Sequence, residues 1–218
     1  YSVARWLADV ASVVAEITGQ GRVGVIVGGT GLYFKARVEG LSPVPPIPED
    51  VRERWRAFAA VAQDGELHGE LARRDPVMAA RLAPRDRQRL TRALEVVEAT
   101  GRSLAEWQTL PGNPLVMAEE AECLVVDRPR ADLHRRADQR FDAMVAEGAL
   151  DEVAGLKAQG LDSALPVMRA LGVAPLLAHL NGELALPQAI ERGKIETRQY
   201  IKRQATWLRR NMSAWRRV

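Results

Sequence analysis

One cysteine, Cys123, stands in 218 residues, so no disulfide can form within the chain. That suits a reducing compartment such as the cytoplasm, and it leaves a catalytic thiol unexpected. Histidine is almost as scarce. His68, His134 and His179 lie far apart, none belongs to a local ligand pattern such as HExxH, and no protein-held metal is expected. No apolar run approaches the roughly 20 residues needed to cross a bilayer. The opening segment carries Arg5 and Asp9 within its apolar stripe, which excludes an anchor or a signal peptide from the reading, and no membrane partner is expected. Nowhere does GxxxxGK(S/T) occur, the loop and lysine that would hold a diphosphate firmly. Internal repeats and low-complexity tracts are missing too.

What remains is the composition of an ordinary globular chain, with 47% hydrophobic and 27% charged residues. Its length suits one substantial domain, or a domain carrying a smaller insert. The formal net charge of +3 names no partner by itself, but its distribution does. Residues 189–218 hold nine basic side chains (Arg192, Lys194, Arg198, Lys202, Arg203, Arg209, Arg210, Arg216, Arg217) against Glu191 and Glu196, a local excess of +7 that leaves the remainder at −4.

The opening amphipathic helix turns at Gly19-Gln20-Gly21 into a short β-branched run, residues 23–27, that ends in Gly28-Gly29-Thr30-Gly31. Such a run, flanked by helices, predicts a buried parallel strand of an α/β sheet, and residues 123–126 predict a second. Between them Pro43, Pro45, Pro46 and Pro48 lead into a stretch that is helical from 49 to 107, an inserted helical domain. Helix starts are marked by Asp75-Pro76 and Pro84-Arg85-Asp86, a stop by Gly101, and a capping box by Ser103 with Glu106. Residues 111–114 return the chain to the sheet. The expected division is 1–43 and 115–218 for the α/β core and 44–114 for the insert. Within the second core part, residues 133–156 predict helix broken at Gly148, and residues 160–166 predict a loop.

Three places carry chemistry. The turn Gly28-Gly29-Thr30-Gly31 offers backbone amides, a positive helix end and the Thr30 hydroxyl to a phosphate, unless Thr30 merely caps its helix. In the terminal helix, Ile201, Ala205, Leu208, Met212 and Trp215 form an apolar seam, while Lys202, Arg209 and Arg216, with Arg203, Arg210 and Arg217 a step round, make a cationic face suited to a polyanion. In the insert, Arg85, Arg89 and Arg92 share a face beside Gln88, whose amide can read a base edge, while Leu90, Leu94 and Val97 line another. Arg136 and Arg140 sit one turn apart among Asp138 and Asp142. They either pair within their helix or neutralise a leaving diphosphate.

VGGTGLYFKARVEGLSP, DRQRLTRALEVVEATGRSL, LHRRADQRFDAMVAEG and TRQYIKRQATWLRR, in this order and spacing, resemble the bacterial tRNA dimethylallyltransferase family over nearly the whole chain. The resemblance implies a P-loop-kinase-like parallel-sheet core, incomplete here, with a helical insertion domain. It implies transfer of the dimethylallyl group of dimethylallyl diphosphate to N6 of an adenosine beside the anticodon, with magnesium assisting the diphosphate. By motif, Thr30 lies at the reacting centre, and Gly28, Gly29, Thr30, Arg136 and Arg140 hold diphosphate. Gln88, Arg89, Leu90, Thr91 and Arg92 contact tRNA through its anticodon arm, as do Lys202, Arg203, Gln204, Thr206, Trp207 and Arg209, with Arg198 on the same helix.

The family pattern opens with GPTxSGK(S/T) and a DSxQxY motif holding the catalytic aspartate, and both precede the segment that Tyr1 begins. The 218 residues alone are therefore expected to bind tRNA weakly, to be inactive and to expose apolar sheet edges. Where the family reads GYRQ, this chain has Gly172-Val173-Ala174-Pro175, and Arg169 is the candidate substitute contact. Poor solubility or partner-masked edges are expected of these residues alone, and the protein is expected to be a cytoplasmic monomer. A transferase acting on free adenylate and a non-catalytic RNA-binding module are the alternatives.

Overall fold

Side-chain caps set several of the helix starts in the computed structural model, which describes residues 2–163 and 165–218, with Ala118 through its backbone alone. α1 (Val3–Gly19) begins where Ser2 Oγ accepts from the Arg5 amide at 3.2 Å. α2 (Gly31–Glu39) follows the GGTG turn. After the proline-rich stretch come α3 (Glu49–Val61), α4 (Glu66–Arg74), α5 (Pro76–Ala79), α6 (Arg87–Thr100) and α7 (Leu104–Trp107). Asp75 caps α5 with Pro76 in its first turn, Asp86 caps α6, and Gly101, at φ +65°, closes it. Half of the capping box forms: Ser103 Oγ accepts from the Ala105 amide at 3.0 Å, while Glu106 reaches Arg102 instead. The second half of the chain holds β1 (Leu124–Val125), α8 (Arg130–Ala146), α9 (Ala149–Ala158), α10 (Val173–Leu180), α11 (Leu186–Asn211) and β2 (Arg216–Arg217). Gly148, at φ +110°, makes the expected break between α8 and α9. The expected loop over 160–166 includes Ala164, which lies outside the described residues.

The chain forms two compact units, Tyr1–Val25 with Leu32–Ala121, and Ile26–Gly31 with Glu122–Val218. The first unit is held by a core of Ile47, Val51, Trp55, Leu67, Leu71, Leu90 and Leu94 from α3, α4, α6 and the loop before α3. Each such side chain removed from water contributes about 1.5–3 kcal/mol. Polar groups at its margin are paired. Buried Asp75 accepts from the Met78 amide and from Ser103 Oγ at 2.7 Å, and Glu98 accepts from Trp55 Nε1 at 3.1 Å and from Arg54 and Arg74. Near the base of this unit the backbones at Gly40 (φ +78°) and Gly112 touch, since a Cβ on Gly112 would lie 2.5 Å from the Glu39 carbonyl oxygen.

In the second unit Val153, Val173, Leu176 and Ala189 form a core between α9, α10 and α11. Buried Phe141 of α8 lies in a notch made by two glycines, because a Cβ on Gly193 would overlap its ring and one on Gly172 would come within 2.8 Å. Two ion pairs fix the same helices: Lys194 Nζ with Asp142 at 2.6 Å, and Arg198 with Asp138 at 2.7 Å.

The fold is mostly helical with a small parallel sheet, in which Leu124 stands opposite Arg216 and Val125 opposite Arg217. The run at 123–126 is thus a strand, but its partner is a surprise. The expected terminal helix stops at Asn211, because the Arg216 and Val218 amides donate to the Cys123 and Val125 carbonyls at 3.1 Å. Backbone pairing with a distant strand overrides local helix preference. Trp215 therefore leaves the apolar seam, and Arg216 and Arg217 leave the cationic helix face. Residues 23–27 are a second correction. They form no strand among the described residues, and Val23, Val25 and Val27 are 80–89% exposed, because no neighbouring strand supplies the ladder that a β-branched run requires. No described helix is long and apolar enough to cross a membrane.

The glycine notch yields a stability contrast. Gly193→Ala should destabilise the second unit by about 1–3 kcal/mol through overpacking against Phe141. Gly155→Ala, in α9 with nothing within 4 Å, should be neutral or stabilising by up to about 1 kcal/mol. Thermal melts of the two variants give the comparison.

Candidate functional site

α11 faces three ways. Its N-terminal half is anchored to α8, one side of its C-terminal half meets the GGTG turn, and another borders a groove. The anchoring accounts for the first basic residues. Arg192 pairs with Glu196, Lys194 with Asp142, and Arg198 spans Asp138 and Glu191 at 2.7 and 2.6 Å. The hydrogen bond to Glu191, ahead of that to Asp138, holds the Arg198 guanidinium above its ordinary range against partial desolvation. At 27% side-chain exposure with both arms engaged, Arg198 is a structural clasp and not a free RNA contact, which corrects the expectation from its position on the helix. Arg216 and Arg217 pair with Glu122 and Asp127.

The acids counted in 189–218 thus gave too few partners, because the partners come from other elements. What survives is a smaller set. Lys202, Arg203, Arg209 and Arg210 are exposed and have no ion pair among the described residues, although Arg203 lies 5.9 Å from the Tyr200 ring centroid.

The groove, about 580 Å³ in volume, runs between the carboxyl end of β1 and α11. Arg128, Arg130, Lys202, Arg209 and Arg217 line it, and Asp127, paired with Arg217 at 2.8 Å, is its only acid among the described residues. Thr206 and Gln204 also border it. Open α/β sheets take ligands beyond the carboxyl ends of their strands, which is where Arg128 and Arg130 stand. Sequence reading missed both. The signal was available in Asp127-Arg128-Pro129-Arg130, basic residues between a strand and a proline-started helix.

The turn is bound to α11 directly. Gln204 Nε2 donates to the Gly29 carbonyl at 2.7 Å, and the Trp207 ring packs on Gly31 so closely that a Cβ there would overlap it. Gly28, Gly29 and Thr30 are exposed, and the Thr30 hydroxyl has no hydrogen-bond partner among the described residues, capping included. It is free to donate.

Arg136 and Arg140 are exposed and unpaired among the described residues, since the acids interleaved with them are held by Arg198 and Lys194. The intrahelical pairing alternative is thereby overturned.

In the insert the outcome differs. Arg85, Arg89 and Arg92 each meet an acid, Asp64 at 3.9 Å, Asp86, and Glu95 at 3.3 Å respectively, so the strip is largely neutralised. Leu90 is 0% exposed and Thr91 8%, with Thr91 Oγ1 donating to the Arg87 carbonyl. Their side chains support the helix and offer nothing to an RNA. Gln88 and Arg89 are exposed.

Arg169 is exposed at the end of a 3₁₀ turn, and the stretch that stands for GYRQ is structural, with Val173 and Pro175 buried and Gly172 beside Phe141. Burial raises the Cys123 thiol above its ordinary pKa, the wrong direction for a nucleophile at neutral pH.

A glycine-rich turn clasped to a helix that also borders a cationic groove is an arrangement suited to anionic ligands. The particular family is shown by comparison: residues 1–211 match the model described as IPP transferase, and the chain belongs to that family of prenyl-transferring enzymes. It is 51% identical over 218 residues to the tRNA dimethylallyltransferase of Beijerinckia indica subsp. indica, covering 99% of this chain and 72% of that protein. Among solved structures, it is 32% identical to the full-length tRNA isopentenylpyrophosphate transferase of Bacillus halodurans, with a TM-score of 0.58 over 96% of this chain and 64% of that one. A eukaryotic dimethylallyltransferase acting on tRNA, 24% identical with a TM-score of 0.78 over 95% of this chain and 52% of that one, shares the fold.

Gly31→Ala should disrupt the turn, because the added methyl must displace an aromatic ring. A loss of activity of about tenfold or more is expected, on the scale that misplaced reacting groups produce. Steady-state turnover at saturating substrates measures it.

Proposed function

We propose that this chain serves the transfer of a dimethylallyl group from dimethylallyl diphosphate to N6 of the adenosine beside the anticodon of tRNA, in the cytoplasm. The observation that carries the reading is the continuity of the cationic groove with the Thr30 turn through Gln204. A phosphate backbone lies along Arg130, Lys202, Arg203 and Arg209, held by charge and counterion release. The target base leaves its stack, at a cost of a few kcal/mol, to meet the turn. As the allylic carbon–oxygen bond breaks, negative charge grows on the departing diphosphate. The amides of the turn, the free Thr30 hydroxyl and the unneutralised Arg136 and Arg140 supply the donors that stabilise it. The nucleophilic amine loses a proton in the same process, so a base is also required.

Magnesium enters, on this reading, as part of the substrate, on the diphosphate oxygens. Among the described residues no three His, Cys, Asp or Glu side chains come together as a cage, and magnesium is commonly held by phosphate oxygens, water and one or two carboxylates. The segment 44–114 adds a second RNA contact through exposed Gln88 and Arg89.

Neutralising Lys202 and Arg209 to alanine should weaken tRNA binding several-fold and lower the slope of log K against log salt by about 0.7–0.9 for each phosphate no longer neutralised. Filter binding across a salt series reads both quantities. Thr30→Ala should leave that affinity intact and depress turnover. An affinity unchanged in the charge-reversed Lys202→Glu, Arg203→Glu, Arg209→Glu variant, or AMP outcompeting tRNA as acceptor, would overturn the reading.

A further inference from the structure

We infer that Gln204 and Trp207 are positioning residues that hold the Gly28–Gly31 turn, and with it Thr30, in register with the groove beside α11. The inference rests on the proposed transfer reaction and assigns these two side chains a task other than contacting RNA. The Gln204 amide nitrogen donates to the Gly29 carbonyl at 2.7 Å, across 175 residues of sequence. One helical turn further on, the Trp207 ring covers Gly31, which is buried although Gly28, Gly29 and Thr30 are exposed. Residues three apart share a helix face, so one side of α11 grips the turn with a hydrogen bond and an aromatic plate.

The unpaired cations Lys202 and Arg209 project from the same helix into the groove, and Gln204 borders both places. α11 is itself pinned to α8 by Lys194 and Arg198. A chain of rigid contacts thus runs from α8, through one helix, to the backbone that carries Thr30.

The glycines give the contact its purpose. A turn of three glycines and one threonine has many accessible backbone conformations, and ordering them carries an entropic cost. A donor fixed on a helix selects the one conformation in which the Gly29 carbonyl points at it. The buried Gly31 admits the ring only because it has no Cβ. A reacting group misplaced by about 1 Å costs on the order of 100-fold in rate, so the grip should appear in turnover and not in RNA affinity.

The test compares Gln204→Met, which keeps length and bulk without the donor, with Trp207→Phe and Trp207→Leu, in the enzyme as the cell makes it. Turnover is measured with saturating tRNA and dimethylallyl diphosphate, tRNA affinity by filter binding without dimethylallyl diphosphate, and backbone order by hydrogen exchange of peptides covering residues 28–31. Gln204→Met is expected to lower kcat about tenfold, to leave the tRNA Kd within twofold and its salt slope unchanged, and to speed exchange in the turn. Trp207→Phe should keep most of the turnover that Trp207→Leu loses. Loss of tRNA affinity with kcat unchanged would make Gln204 an RNA contact and overturn the proposal, as would unaltered exchange over residues 28–31, which can be read even from a variant too unstable for kinetics. An enzyme that proved to use AMP would sink the tRNA reading alone, because the fall in kcat and the faster exchange would persist with that acceptor.

Discussion

Two carboxylates on one helix, Asp138 and Asp142, determine how charge is spread over the second unit. By pairing with Arg198 and Lys194 they seat α11 on α8, next to the notch where Phe141 meets Gly193 and Gly172. They are also withdrawn from Arg136 and Arg140, their neighbours in sequence, which are exposed and have no ion pair among the described residues. A partly exposed ion pair contributes little net stability, whereas removing one partner leaves the other charge uncompensated. Here the arrangement of the two helices carries the groove, the turn and the exposed cations.

The basic residues of the chain consequently divide by task. Those near the start of α11 and those of β2 are joined to acids and build structure. Those between Lys202 and Arg210 have no acid near them among the described residues and remain available to a polyanion. The same division runs through the insert in the opposite sense, where Asp64, Asp86 and Glu95 answer the arginines in turn. A count of cations along a sequence therefore overstates the field that an RNA would meet. The field depends on pairs formed across the fold, and screening by salt acts most strongly on the exposed ones.

Features governed by neighbours in sequence were legible before the structure. Asp75, Asp86, Gly101 and Ser103 bound their helices as the capping rules require, Gly148 broke its helix, and the four motifs led to the right family. Features governed by distant partners were not. Residues 23–27 have the composition of a strand, yet a strand is made by its neighbours. Residues 216 and 217 follow the pattern of a helix end, yet pair with residues 124 and 125. Leu90 sits within an RNA-binding motif by resemblance, and its place in the helical period put it in the core, as the alignment of Leu90 with Leu94 had already indicated. The link between Gln204 and Gly29 spans most of the chain and no local pattern reports it.

The crossing of Gly40 and Gly112 gives the helical segment between them an unusual freedom. Because the two backbones meet where neither carries a side chain, the ends of the excursion run close together, and the Leu115 amide adds a bond of 2.9 Å to the Arg37 carbonyl. Loop-closure entropy grows only slowly with length, so helices could be lengthened, exchanged or grafted beyond that crossing while the chain on either side kept its course. The helices of that excursion and the chain on either side of it would then be free to vary separately, with two glycines marking the boundary between them.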